Sequence, residues 1–301
     1  MPFTRPLHLF TGKGGVGKST LSAALALEAA ARGHRPLLVE LGHRASLRSI
    51  FRVERIGYEP VEVAPGVHAT NVDLDHALAD YLTRRVRVRS VAQRVAQSAS
   101  LKRFFEAAPA VAEVLTLDRL EALMERFSPL LVDLDATGHA LMFLELPAVF
   151  ASLAPSGPFR QLLDGFAALL ADKTRTRLHL VTLPGRLPVQ ETLELYARLS
   201  GQGRVPLGAL FVNRMPQPPL PIDLLSRAQL MLRKADHPGA RADLELLLGS
   251  ARAYEQAAAE LQRLRTHPTG ALPHVALPEL DEPFELASLA RLGRLAAEAL
   301  A

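Results

Sequence analysis

Cysteine is absent from the 301 residues, which removes disulfides, thiolate zinc sites, iron–sulfur clusters and thiol nucleophiles together. No stretch of about 20 residues is apolar throughout, so no segment is expected to span a membrane. The opening MPFTRPLHLF has a short apolar run without the pattern of a secretory signal, and a soluble cytoplasmic protein is expected. Lysine is scarce as well, five against thirty arginines within a formal net charge of +4. Genome composition produces such a bias as readily as an anionic partner does. The densest basic run is Arg84, Arg85, Arg87, Arg89 and Arg94. Leu82, Val86, Val91 and Val95 recur there at near-helical spacing, the pattern of an amphipathic helix with a cationic face. Nucleic-acid surfaces combine such charge with stacking aromatics. Only Tyr81 lies near, so a solvated face is expected, an acidic partner is the alternative, and nucleic acid is not expected.

Core-forming residues, by contrast, are plentiful at 49% hydrophobic. Apolar runs suited to buried strands, 7–10, 37–41, 67–72, 130–134, 178–183, 207–213 and 274–277, alternate with helix-length segments. That alternation predicts an α/β fold built of βαβ units, with a mainly parallel sheet covered on both faces. No strand candidate falls between 72 and 130, so residues 76–127 read as a helical subdomain inserted in a single domain spanning 1–301. No internal repeat and no second glycine loop is present.

The most informative segment is TGKGGVGKSTL, 11–21. Gly12 to Ser19 fit G-x-x-x-x-G-K-[ST], preceded by an apolar strand and followed by a strong helix, the context that a phosphate-binding P-loop requires. Its glycines let backbone N–H groups converge on phosphate oxygens, and the helix N-terminus adds the positive end of its dipole. Gly12, Gly14, Gly15, Val16, Gly17, Lys18, Ser19 and Thr20 form the candidate set for ATP or ADP. Lys18 is expected to reach the β- and γ-phosphates, and the Ser19 hydroxyl to ligate Mg2+.

A second lysine, Lys13, sits inside the loop. The K-G-G-x-G-K-[ST] variant resembles the deviant Walker A of the SIMIBI-class ATPases. The resemblance implies that Lys13 reaches across a dimer interface to the partner's phosphates, as an arginine finger does. Residues 131–147, LVDLDATGHALMFLELP, resemble switch II of the arsenite-pump/guided-entry ATPase family within that class. This implies that Asp133 holds magnesium through water and that Thr137, Gly138 and His139 form the switch core. LVTLPGRLPVQETLELYARL (180–199), FVNRMP (211–216) and HVALPEL (274–280) extend the resemblance over nearly the whole chain. Asn213, with Arg214 beside it, then faces the base, since a side-chain amide pairs with both the donor and the acceptor edge of adenine.

The chain departs from the family where the family's cargo chemistry lies. Cysteines that bind metalloid and the CxxC pair that clips a zinc are both missing, so neither metalloid nor structural zinc is expected. Leu134, Asp135 and Ala136 replace Thr-Ala-Pro in switch II, and in VELGHRASL Glu40 stands where the family has the aspartate that orients the attacking water, with His43 keeping its place. One added methylene can move a carboxylate by about 1 Å and slow a reaction on the order of 100-fold. A strand-end Glu40 paired with a nearby arginine is the plainer reading. The whole implies a dimeric, magnesium-dependent, slow ATPase coupling ATP to conformational change for a protein client, paired with itself or with a paralogue. Two alternatives stay open: a nucleotide-bound scaffold or half of a heterodimer, and a targeting factor for hydrophobic tail anchors. For the latter, 159–171 is apolar enough to line a groove, but ordinary core packing explains it equally and the chain has only 5 Met.

Overall fold

The computed structural model describes residues 3–41, 45–85, 109–134, 141, 144–145, 156, 158–234, 237–280 and 285–300. Eight strands form one sheet: β1 (Leu7–Thr11), β2 (Leu37–Leu41), β3 (Val61–Ala64), β4 (Val67–Val72), β5 (Leu130–Asp133), β6 (Thr176–Thr182), β7 (Leu207–Met215) and β8 (His274–Pro278). Their order is β3-β4-β2-β5-β1-β6-β7-β8. All pairs are parallel except β3–β4. The described helices are α1 (Lys18–Ala31), α2 (Ser46–Phe51), α3 (Leu74–Arg85), α4 (Pro109–Met124), α5 (Pro158–Ala171), α6 (Arg186–Gln202), α7 (Ile222–Lys234), α8 (Pro238–Thr266) and α9 (Leu286–Ala297).

Seven strands lie where the apolar runs predict them. The eighth, β3, gives no such run because it is a short, largely exposed edge strand, hairpinned onto β4 through Pro65 and Gly66. It carries no buried apolar run to be read.

Strand alternation sorts side chains into two layers. Leu7, Leu9, Leu37, Val39, Leu130 and Val132 face one core, which α3, α4, α5, α6 and α8 cover. Phe10, Leu38 and Leu131 face the other, closed by α1, α2 and α9. A helix on each face is what a parallel sheet needs, because both of its faces are apolar.

Between β4 and β5 the described residues are helical: α3 and α4 pack on each other. Ala77, Leu115, Leu120 and Leu123 join the sheet's own core. Arg119 fastens the pair, donating to Asp80 at 3.4 Å and Glu59 at 3.0 Å while its guanidinium lies 4.4 Å from the Tyr58 ring centre. Of the basic run, Arg84 and Arg85 end α3; Arg87, Arg89 and Arg94 lie outside the described residues. On α5, Leu163, Phe166, Leu169 and Leu170 are buried, so its apolar face is core. No described helix is long and apolar enough to cross a membrane.

Candidate active site

The site gathers at the C-terminal ends of β1, β2 and β5, and strand periodicity explains why. In register, Phe10 pairs with Asp133, and Asp133 with Glu40. All three alternate away from the first core and therefore face the layer that α1 covers. The loop leaving β1 turns directly into the N-terminus of α1, so its amides and the first helical turn sit over these carboxylates.

Two glycines have no substitute in that loop. Gly12 approaches β6 so closely that an added Cβ would lie 2.1 Å from the Val181 carbonyl oxygen. Gly17 has φ of 92°, and a Cβ there would lie 2.2 Å from Asn213 Nδ2. The Lys18 ammonium, buried beneath the loop, donates to the Gly12 and Lys13 carbonyls, each at 3.1 Å. It thereby braces the loop from inside while its charge lies where phosphate oxygens would converge.

Ser19, in the first turn of α1, donates its hydroxyl hydrogen to Asp133 Oδ2 in a short hydrogen bond. A hydroxyl and a carboxylate in contact at the mouth of a phosphate loop are hard oxygen donors, the set that suits magnesium. The residues present therefore fit that ion. Thr20 lies one position further into α1, partly buried.

Glu40 is 1% exposed, and its Oε1 accepts from the Leu47 N–H at 3.0 Å. Its described hydrogen-bond partner is thus the start of α2 rather than an arginine. Burial pushes its carboxyl above the ordinary 4.5, and the neighbouring Asp133 charge pushes the same way, against the hydrogen bonds from Leu47 and Ser46. A raised pKa and a place beside the Ser19–Asp133 pair suit Glu40 to accept a proton.

Asn213, near the end of β7, uses its Nδ2 to donate to the Val16 carbonyl at 2.9 Å. That bond uses one of the two Nδ2 hydrogens, and the second hydrogen and Oδ1 are the groups a base edge would meet. Arg214 adopts φ of 54° and is exposed. Lys13 is not free at the loop surface: its Nζ meets Glu191 Oε1 at 2.7 Å. Glu191 lies on α6, within the 180–199 segment that resembles the family. Nothing in the string signals a contact across 178 positions. His43, Thr137, Gly138 and His139 lie outside the described residues.

Residues 6–155 match the family model described as anion-transporting ATPase. A putative ATPase of Mycobacterium bovis is 33% identical over 237 residues, covering 74% of this chain and 69% of its own length. The ATPase BagA of Mycobacterium tuberculosis gives the same figures, 33% over 74% of this chain and 69% of its own. An arsenical pump-driving ATPase of Escherichia coli is 29% identical over 66% of this chain, which spans only 38% of that protein.

Proposed function

The chain belongs to the anion-transporting ATPase family and is an ATP hydrolase, and from that premise we propose that it is a magnesium-dependent switch that hydrolyses ATP between two subunits. The contact of Ser19 with Asp133 beneath the glycine loop carries this reading, since it joins magnesium donors to a phosphate cradle. The amides from Gly12 to Thr20 hold the phosphate oxygens, and Lys18 exchanges its loop carbonyls for them. Ser19 and Asp133 hold the ion. Magnesium, when bound, neutralises charge developing on the transferred phosphoryl group. Glu40 orients the attacking water from the adjacent strand. Asn213 and Arg214 border the base, and Lys13, once released from Glu191, completes the site of a second subunit, whether a second copy or a paralogue.

A complementation experiment tests this. Lys13→Ala and Asp133→Asn are each expected to lose turnover, whereas their mixture regains part of it. In a mixed dimer one site keeps its own Asp133 and receives Lys13 from its neighbour. Recovery absent from the mixture, with dimers present by light scattering, would sink the action of Lys13 in trans.

A protein client is the further part of the reading. Exposed Ile222, Leu230 and Met231 of α7 and Leu246 of α8 offer it an apolar surface. An apolar helical peptide should bind more tightly with ATP than with ADP; equal affinity in the two states would remove the coupling.

A further inference from the structure

A second polar site lies at the opposite end of β1 from the phosphate loop. There a cavity of about 270 Å³ is lined by Arg5, His8, Arg177, His179 and Gly208 among others, with Leu300 closing one side. The two histidines are buried, each about 1% exposed, and their rings meet at 3.0 Å, Nδ1 of His8 to Nε2 of His179.

Hydrogen bonding settles where their protons are. The Ala209 N–H donates to His179 Nδ1 at 3.0 Å, so the His179 proton sits on Nε2 and is given to His8 Nδ1. The His8 proton must then sit on its own Nε2, a buried donor with no hydrogen-bond partner among the described residues. The Arg5 backbone carbonyl lies beside the His8 ring and favours its protonated form. Gly208 makes room for this arrangement, since a Cβ there would lie 2.5 Å from His179 Cε1.

Arg5 Nε and Arg177 Nη1 converge on one carbonyl oxygen, that of Lys173, at 3.0 and 2.8 Å. Among the described residues neither guanidinium reaches a carboxylate. Burial and the Arg5 charge lower the Arg177 pKa, and burial with the two arginines holds both histidines neutral, His8 at about 4. Two guanidiniums at the wall of one cavity, with no carboxylate partner among the described residues, form the donor set of an oxyanion site.

We propose that this cavity binds a small oxyanion, which accepts from the Arg5 and Arg177 guanidiniums, remote from the nucleotide. Calorimetric titration of inorganic phosphate into the full chain, with saturating ADP and magnesium filling the phosphate loop and sodium chloride as the matched control, tests it. The expected result is one binding event, weakened about tenfold or more in Arg177→Gln, which removes a charge-assisted bond. Gly208→Ala should weaken it as well by displacing His179, and Lys18→Ala should retain it. No heat beyond the chloride control would overturn the proposal, as would binding unchanged in Arg177→Gln or lost in Lys18→Ala. Binding that emerges only after removal of Ala301, which follows the lining residue Leu300, would show the chain's own end in the cavity and overturn a free ligand.

Discussion

Lys13 and Glu191 form an ion pair within a single chain, at 2.7 Å between the phosphate loop and α6. The lysine proposed to serve a neighbouring subunit is thus held at home by a partner 36% exposed. Exposed pairs are worth about 0.2–1 kcal/mol, so the hold is weak enough to be exchanged on assembly.

Glu191→Gln should therefore free Lys13 at almost no cost to folding. Turnover measured at dilute protein is expected to rise up to about threefold, with half-maximal activity reached at lower protein concentration. The melting temperature should barely move. A fall in turnover instead would make Glu191 a supporting element of the active lysine geometry.

Glu40 predicts a pH-dependent stability. Its folded pKa is raised, so its contribution is fully present below the ordinary 4.5 and is lost as pH rises through the folded value. Glu40→Gln keeps an acceptor for the Leu47 N–H but never acquires the charge. In the nucleotide-free protein the variant should melt higher than wild type at pH 8, and the gap should close toward pH 4.5. Turnover by Glu40→Gln is expected to collapse while ATP binding persists. Parallel melting curves at all pH values would show that the charge of Glu40 is not a burden on the fold.

Removing one proposed magnesium donor should separate binding from chemistry. Asp133→Asn should lower turnover about 100-fold or more, since a bound metal supplies several kcal/mol of transition-state stabilisation. In EDTA, wild type and variant should bind ATP alike. An EDTA-insensitive difference in affinity would assign Asp133 to the nucleotide itself.

Gly17→Ala should abolish nucleotide binding for two reasons that a double mutant separates. Alanine at φ of 92° costs about 1–2 kcal/mol in backbone strain, and its Cβ meets the Asn213 amide. Adding Asn213→Ala removes the collision and leaves the strain, so affinity should recover in part. No recovery would mean that backbone conformation alone accounts for the loss.

Arg119→Ala should destabilise the protein by about 2 kcal/mol, because it removes hydrogen bonds to two carboxylates from a side chain that is buried. Chemical denaturation with and without ATP would locate the damage: nucleotide affinity should be unchanged if Arg119 only fastens α3 to α4.

What was legible in the sequence was whatever depends on neighbours along the chain. The phosphate loop was readable because its glycines, lysine and serine occupy consecutive positions between a strand and a helix. Strand alternation likewise put Glu40 and Asp133 at the ends of buried runs, where carboxylates have few structural uses. The edge strand β3 was not readable, because half-exposed strands carry little apolar signal. Nor was the fate of α5: an apolar helix face looks the same whether core or client covers it, and only packing placed Leu163 and Phe166 inside.

Charge and hydrogen-bond partners belong to tertiary structure alone. The sequence by itself determined an α/β phosphate-binding fold, through periodicity and the conformational freedom of glycine, both local properties. Only the folded sheet decided that Lys13 meets Glu191, that Asn213 braces Val16, and that His8 faces His179 across 171 positions. Coulombic and hydrogen-bonding energies depend on distance in space, and a parallel sheet brings together residues whose separation along the chain carries no trace of it.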